Sequence, residues 1–522
     1  MKSTCYLIPI LLLSLTLRAV HLDTVPAWYW DEGYHLNLGE NIVEGRILVY
    51  GLRISLLPHP PSYHLIAGLI SKTVHNPLIC LRIISVLLSV PTVCLIYLIG
   101  SELYDSRLGL TASLVYALFP SAIYWNRILH PNNLLLPLSL LGVFLLLRYT
   151  KTKRPSGLAY AIGASLIAFI TEYTQAAVMA STVILLKIFD SGRTALKAAL
   201  IFLLALTLYL TVTFACTQDI FVQEFTSQFK RYNVAYMVLI PAAGLAAYTL
   251  LHNKINTSPL ENLFYNKPGH HIILFYLLSS TLVLINPMSD YQFLSGLDIM
   301  LLIGTLGLFH LPRTDGSRKL LALTIPLYAL LAVTRRTDHA LMPLHPYISL
   351  AAASFINQAY LTLRDTPILS SRRELAALLA AVIIPMLLFN DAQTFISSGS
   401  LNPEDLKSDK LLADYLNART RETDVIAAPS QITPILPGRT TTLVEAAAYD
   451  GRMLLFLSHH EKIPAGGFLY NVSIRNVRYA VMPEMTPSWM LDQGFGPVID
   501  AIRQWNSTRA GGYIVYANPA KV

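Results

Sequence analysis

The chain has 522 residues, of which 54% are apolar and 13% charged. A soluble domain carries nearer to about a quarter charged residues, so a single water-soluble globule is excluded, and so are a disordered chain, a collagen-like repeat and a disulfide-stapled scaffold. The net charge of +8, from 39 Lys+Arg against 31 Asp+Glu, comes without a basic stripe interleaved with aromatics, so it points to the cationic inner loops of a membrane protein and not to nucleic acid.

In chain order, Met1-Lys2-Ser3 leads into an apolar stretch from Thr4 to about Val20. The following His21-Leu22-Asp23 offers no small-x-small cleavage site, so the stretch is predicted to be a retained first spanning helix that starts in the cytoplasm. A long outward loop, residues 21–77, follows. Within it Asp31–Glu44 and Pro60–His75 have amphipathic helical spacing and are expected to lie in the interface plane. Further spans are predicted near 78–100, 108–125, 132–149, 157–174, 176–189, 195–216, 232–251, 270–287, 293–311, 318–334, 341–360 and 374–391. Counting the first helix, that makes about thirteen, in a membrane region covering residues 1–391.

Arg148, Lys151, Lys153, Arg154, Lys187, Arg193, Lys197, Arg313, Arg318, Lys319, Arg364, Arg372 and Arg373 fall in the predicted inner loops, the asymmetry that the positive-inside rule requires. The expected topology is N-terminus inside and C-terminus outside, in the cytoplasmic (plasma) membrane. Residues 392–522 turn polar and predict a small outward α/β domain. Its helix starts at Asn402-Pro403-Glu404-Asp405 and runs to about Arg421, and its strands are Val425–Ala428, Val477–Met482 and Tyr513–Ala517. Cys5, Cys80, Cys94 and Cys216 lie in or beside apolar runs with no C-x-x-C spacing and read as core residues. No internal repeat stands out.

The richest polar cluster is Trp28-Tyr29-Trp30-Asp31-Glu32-Gly33-Tyr34-His35, just beyond the first helix. An interfacial belt explains the aromatics. Two adjacent carboxylates at a membrane face either favour the N-terminus of the following helix or do chemistry, and position alone supports both readings equally.

With those residues stand a Pro60-Pro61 pair, Leu81-Arg82-Ile83-Ile84, Tyr97-Leu98-Ile99-Gly100, the turn Arg127-Ile128-Leu129-His130-Pro131-Asn132, and Pro343 with Pro346. The ordered set resembles the GT-C glycosyltransferases, in particular the dolichyl-phosphate-mannose protein mannosyltransferases and the bacterial aminoarabinose lipid A transferase. The likeness covers residues 1 to about 190 and thins until Pro343. It implies transfer of a sugar from a polyprenyl phosphate to an outward protein, lipid or glycan acceptor, with inversion at the anomeric carbon. On this resemblance Asp31 is the expected general base and Glu32 its acceptor-side neighbour. His59, Arg127, Lys230, Arg231, Arg335, Arg336 and His339 are the expected contacts of the donor phosphate. Asn132, Glu172 and Tyr34 are candidates for supporting contacts.

The departures from the family pattern are specific. His59-Pro60-Pro61 replaces Lys-Pro-Pro, so the grip on phosphate becomes dependent on imidazole protonation or on a neutral hydrogen bond. Asn132 replaces a second acid and cannot accept a proton. His339-Ala340 replaces Arg-Tyr, with Arg335 and Arg336 about one turn earlier. Pro58 stands where some metal-binding relatives have an acid, so neither a metal nor another cofactor is expected. No nucleotide-cradling glycine loop occurs. His459-His460-Glu461 lacks metalloprotease spacing and reads as surface, while Asn471-Val472-Ser473 and Asn506-Ser507-Thr508 are sequons of low specificity.

The expected partners are a polyprenyl-phosphate-linked sugar, an outward acceptor and the bilayer. The rival readings are a transporter or flippase of lipid-linked sugars, which the missing repeat and the long first loop disfavour, and a non-catalytic scaffold, which Asn132 keeps open.

Overall fold

The computed structural model describes residues 2–23, 30–45, 60–74, 76–217, 221–222, 304, 307–308, 311, 314–334, 339–365, 403–421, 423–429, 432–433, 436, 439–450, 473–484 and 496–521. The expected spans near 232–251, 270–287 and 374–391, and all but four positions of the one near 293–311, lie outside them.

Helix α1 is Lys2–Ala19. Two short helices follow, α2 (Trp30–Val43) and α3 (Pro61–Thr73), where amphipathic spacing placed them. Helix α3 opens on a proline, whose missing N–H costs nothing in a first turn. Helix α4 (Pro77–Leu103) starts the same way, with the Asn76 side chain accepting the N–H of Ile79 at 3.3 Å.

Asp105 caps α5 (Ser106–Leu118) by accepting the N–H groups of Arg107 and Leu108. The expected single span 108–125 is broken here. Phe119 is extended (φ −66°, ψ 111°), and α6 (Pro120–Asn126) departs from α5 at 65°. Pro120 cannot supply the helical N–H and pushes the residue before it out of the helical region. The chain continues as α7 (Asn132–Thr152), ended by Lys153 at φ 55°, then α8 (Pro155–Phe169), α9 (Gln175–Phe189) and α10 (Gly192–Thr217). Helix α11 (Asp315–Thr334), a 3-10 turn (His339–Leu344) and α12 (His345–Asp365) complete the described helical region.

Among the described residues, α4, α7 and most of α10 are long and apolar enough to cross a membrane, and the bent α5–α6 pair makes a fourth. Most of α1, with α8 and α9, is apolar but shorter. Helix α4 packs on α1, α5 and α7; α7 packs on α8; α9 packs on α10 and α11; and α12 packs on α5. Ile96, Ile99, Tyr116, Phe119, Leu146, Leu185, Leu323 and Leu350 are buried in one continuous core. Helices α2 and α3 cross at Gly39 and Gly68, where a Cβ on either residue would run into the backbone of the other helix.

The C-terminal part holds α13 (Pro403–Asn417), β1 (Val425–Ala427), β2 (Arg439–Thr441), α14 (Leu443–Tyr449), β3 (Tyr479–Pro483), α15 (Gly496–Arg503), β4 (Asn506–Ala510) and β5 (Tyr513–Ala517). The strands form one mixed sheet of order β2-β1-β3-β5-β4. β1 is parallel to β2 and β3, whereas β3, β5 and β4 run antiparallel. One face packs on Leu412 and Leu416 of α13, the other on Ala446 and Ala447 of α14 and Val498, Ile499 and Ile502 of α15. A hydrogen bond from Asn37 Nδ2 to Thr433 Oγ1 (2.9 Å) ties this domain to α2.

Candidate active site

Asp31 and Glu32 both lie in the first turn of α2, where the helix dipole favours negative charge. Consecutive helical residues diverge by about 100°, and the two acids have different surroundings. Glu32 is completely buried and meets Arg82 of α4 in a bidentate pair, Nε to Oε1 at 2.7 Å and Nη2 to Oε2 at 2.5 Å. The backbone N–H of Leu129 donates to Oε1 at 2.9 Å, and Arg82 Nη1 donates to the carbonyl of Leu22 at 3.3 Å. Burying two charges is tolerable only with such saturation of their hydrogen bonds. Its carboxylate holds α2 against α4 and the turn before α7. Asp31 is half-buried one residue away.

Arg127 is also held by protein groups. Its Nη1 donates to the carbonyl of Leu17 (3.0 Å), and its Nη2 to those of Val20 (2.6 Å) and His21 (3.3 Å). These are the carbonyls at and just beyond the end of α1, so the guanidinium caps that helix. Burial and neighbouring Arg82 lower its pKa to about 10, which leaves it charged at neutral pH. Arg18, which the sequence did not single out, does the same in reverse from α1. It donates to the carbonyls of Tyr116 (3.2 Å) and Ala117 (2.9 Å) at the end of α5 and to Asn126 Oδ1 (3.0 Å). Asn126 in turn donates to Asn133 Oδ1 at 2.8 Å. Long sequence separation hides such pairs.

Around this frame sit three buried histidines, none of them an expected site residue: His35 and His130, which fall inside the motifs, and His64. His35 Nδ1 and His64 Nε2 are 2.9 Å apart, and His64 Nδ1 lies 3.0 Å from the carbonyl of Pro60. The His130 ring meets the His35 ring edge-on at 5.4 Å, and Tyr63 packs against both His35 and His64. Burial lowers the His64 pKa to about 4, against a smaller raising effect of the Pro60 carbonyl. Burial, with a contribution from Glu32, raises that of Tyr63.

Asn132 is buried at the start of α7, its N–H directed at His130 Nδ1 (3.2 Å), and Tyr34 is half-buried beside His35. Glu172 is half-buried in the α8–α9 turn, accepting the N–H of Tyr173 at 3.1 Å. That turn is pinned to the start of α3 by Ser62, which donates to the carbonyl of Ile170 (2.8 Å) and meets Thr171 Oγ1 (2.9 Å). His339 opens the 3-10 turn packed on α6 and α7. Asp31, Asn132, Glu172 and His339 are thus gathered at one end of the helices. His59, Lys230, Arg231, Arg335 and Arg336 lie outside the described residues.

Residues 58–216 match the family described as dolichyl-phosphate-mannose-protein mannosyltransferase. Comparison with curated protein sequences gives no match. Among solved structures, ArnT from Cupriavidus metallidurans bound to undecaprenyl phosphate superimposes with a TM-score of 0.53 at 11% identity, over 99% of this chain and 98% of that one. The oligosaccharyltransferase AglB from Archaeoglobus fulgidus, in complex with an inhibitory peptide and a dolichol-phosphate, gives 0.50 at 13% identity, over 100% of this chain and 75% of that one. The same enzyme tethered to an acceptor peptide gives 0.50 at 14% identity, over 99% and 74%. The apolar helices, the family match over residues 58–216 and the full-length likeness to ArnT together identify the chain as a membrane protein of the GT-C fold, resembling the dolichyl-phosphate-mannose protein mannosyltransferases.

Proposed function

We propose that the protein is a glycosyltransferase that takes a sugar from a polyprenyl phosphate and passes it, with inversion, to an acceptor on the outer side of the membrane. One observation carries the reading. The Glu32–Arg82 pair and the Leu129 N–H fix the first turn of α2 and so hold Asp31 in place, a carboxylate not consumed by that lock. Asp31 removes the acceptor hydroxyl proton as the acceptor oxygen attacks the anomeric carbon and the polyprenyl phosphate departs. His59, Lys230, Arg231, Arg335, Arg336 and His339 are the cationic or hydrogen-bonding residues proposed to meet that phosphate, Arg127 being committed to α1. No step requires a metal ion. The N-terminus lies inside, and the C-terminal sheet domain lies outside, where it helps select the acceptor.

The likeness to a structure holding undecaprenyl phosphate and to one holding a dolichol-phosphate supports this class of donor. Incubation of purified protein with a panel of labelled polyprenyl-phosphate hexoses and pentoses, in the presence of membrane or envelope extracts, should move label onto an acceptor. Label that stays on every donor, with unchanged wild-type folding, overturns the reading.

A further inference from the structure

The last residues of α4, α7 and α9 meet the start of α11 at a cluster of lysines that the active site does not use. Lys153, the residue that ends α7, donates from Nζ to the carbonyl of Phe189 and to Asp190 Oδ1, both at 2.8 Å. Lys151 donates to the carbonyl of Glu102 at 2.8 Å and pairs with its carboxylate at 3.1 Å. Lys319 of α11 reaches the same place from across the bundle. Its Nζ lies 3.2 Å from Thr150 Oγ1 and 4.8 Å from the centre of the Phe189 ring. Phe189 thus receives one lysine on its carbonyl and another on its ring, and Lys151 is within electrostatic reach of both Lys319 and Glu102.

The ion pairs here are one to one, and Lys319 is the cation left over. Glu102 pairs with Lys151, Asp190 with Lys153 and Asp315 with Arg318. Among the described residues Lys319 has no carboxylate within ion-pair distance, although the residue is only 9% exposed. An ammonium has three N–H donors; Thr150 accepts one, and the Phe189 ring attracts the charge without offering a lone pair. Lys319 also stands near the N-terminus of α11, the helix end that disfavours a cation. An anion would complete these surroundings. Helix α10 indicates which kind. It starts three residues beyond Phe189, and Leu196, Leu200, Leu204 and Leu208 form an exposed apolar ridge that runs away from that end along a helix of membrane-spanning length. A phosphate at the lysines and an acyl chain on the ridge are the two halves of a phospholipid.

We propose that Lys319, with Lys151 and Lys153 beside it, holds the phosphate of an anionic phospholipid whose acyl chain lies on the leucine ridge of α10. The site is separate from the proposed chemistry. Arg82 of the carboxylate lock and Glu102 of the lysine cluster lie on the same helix, and the twenty residues between their positions span about 30 Å at a rise of about 1.5 Å per residue. That is the thickness of a bilayer's hydrocarbon core, so a lipid here belongs to the leaflet opposite Asp31. On the proposed topology that is the cytoplasmic leaflet, where anionic headgroups meet basic pockets between helix ends. Bound there, the lipid joins the ends of α7, α9 and α11 through its phosphate and should stabilise the folded chain by mass action.

The test titrates the delipidated full chain in detergent with phosphatidylglycerol, phosphatidylcholine or inorganic phosphate and reads Tm. Phosphatidylglycerol should raise Tm and phosphatidylcholine, whose choline cancels the charge, should not. Lys319→Met keeps an unbranched stem against Phe189 and removes the ammonium; it should weaken phosphatidylglycerol binding by about tenfold or more. Arg107→Met removes an exposed cation at the start of α5, at the same end of the helices, and should leave binding within about twofold. Unchanged binding in Lys319→Met, or an equal loss in Arg107→Met, overturns the site. A rise in Tm reproduced by inorganic phosphate alone overturns the lipid assignment. A second measurement needs no variant. Wild-type protein, purified in mild detergent from a host whose membranes hold phosphatidylethanolamine and phosphatidylglycerol, should retain phosphatidylglycerol preferentially in native mass spectrometry. Retention of the two lipids in proportion to their abundance overturns the proposal.

Discussion

Neighbouring carboxylates with the same formal chemistry come apart at Asp31 and Glu32 because only one of them has a guanidinium opposite. Breaking the buried Glu32–Arg82 pair leaves an uncompensated charge, so Glu32→Gln and Arg82→Ala should each destabilise the protein by about 3–5 kcal/mol, read as a lower Tm in detergent. Asp31→Asn should leave Tm nearly unchanged and lower turnover by roughly two orders of magnitude or more. The reverse ranking in the two measurements would exchange their roles. His64 adds a pH dependence of stability. Its pKa is about 4 in the folded protein against 6.5 when unfolded, so below pH 6.5 the unfolded chain binds the proton first. Stability from this residue is complete above pH 6.5, falls as pH drops toward about 4, and the loss amounts to roughly 3 kcal/mol. A Tm that stays flat across that window would show that His64 remains solvated. The Asp-Glu dipeptide was legible in the sequence, but the division of labour was not, since the deciding partner lies 50 positions away. The histidine pair, 29 positions apart, was hidden for the same reason.

At the scale of single elements, what could be read was what burial writes into hydrophobic spacing. Helices α2, α3, α4 and α7 lie close to their expected limits because each has a long apolar run or an amphipathic face, and the last three have a proline at or just before their start. Strands β1, β3 and β5, the inner three of the sheet, were visible as apolar runs. Strands β2 and β4 were missed because they are the edges: Arg439–Thr441 is three residues long, and Asn506–Arg509 is exposed and polar. Edges built this way avoid pairing with other chains, and so carry no apolar signature. The α2–α3 crossing depends on two glycines, and Gly39→Ala or Gly68→Ala should prevent the close approach and reduce the yield of folded protein in size-exclusion profiles. Arg127→Ala strips the cap from α1. It should cost about 1.5–3 kcal/mol or more of stability while donor affinity changes little. A collapse of donor affinity at unchanged Tm would return Arg127 to the phosphate.

For the whole molecule, the proposed topology has a direct test: a reporter fused after Val522 should be active only outside the cytoplasm. Cytoplasmic activity would invert both faces, placing the sheet domain and the hydrogen bond from Asn37 to Thr433 inside. The reciprocal arginine caps also order events in time. Arg18 sits in the last turn of α1, yet its partners at Tyr116, Ala117 and Asn126 are translated about a hundred residues later, roughly 5–20 s at ordinary elongation rates. Until then the guanidinium has, beyond the Ser14 carbonyl of its own helix, only water and headgroups to bond, so α1 must wait shallow in the bilayer and settle once α5 and α6 arrive. Arg18→Leu should therefore act in opposite directions at two stages. It should raise the insertion efficiency of an isolated α1 segment in a microsomal assay and lower the Tm of the finished protein. A charge that hinders α1 as it inserts thus becomes, once the chain is complete, part of what holds the first helix in place.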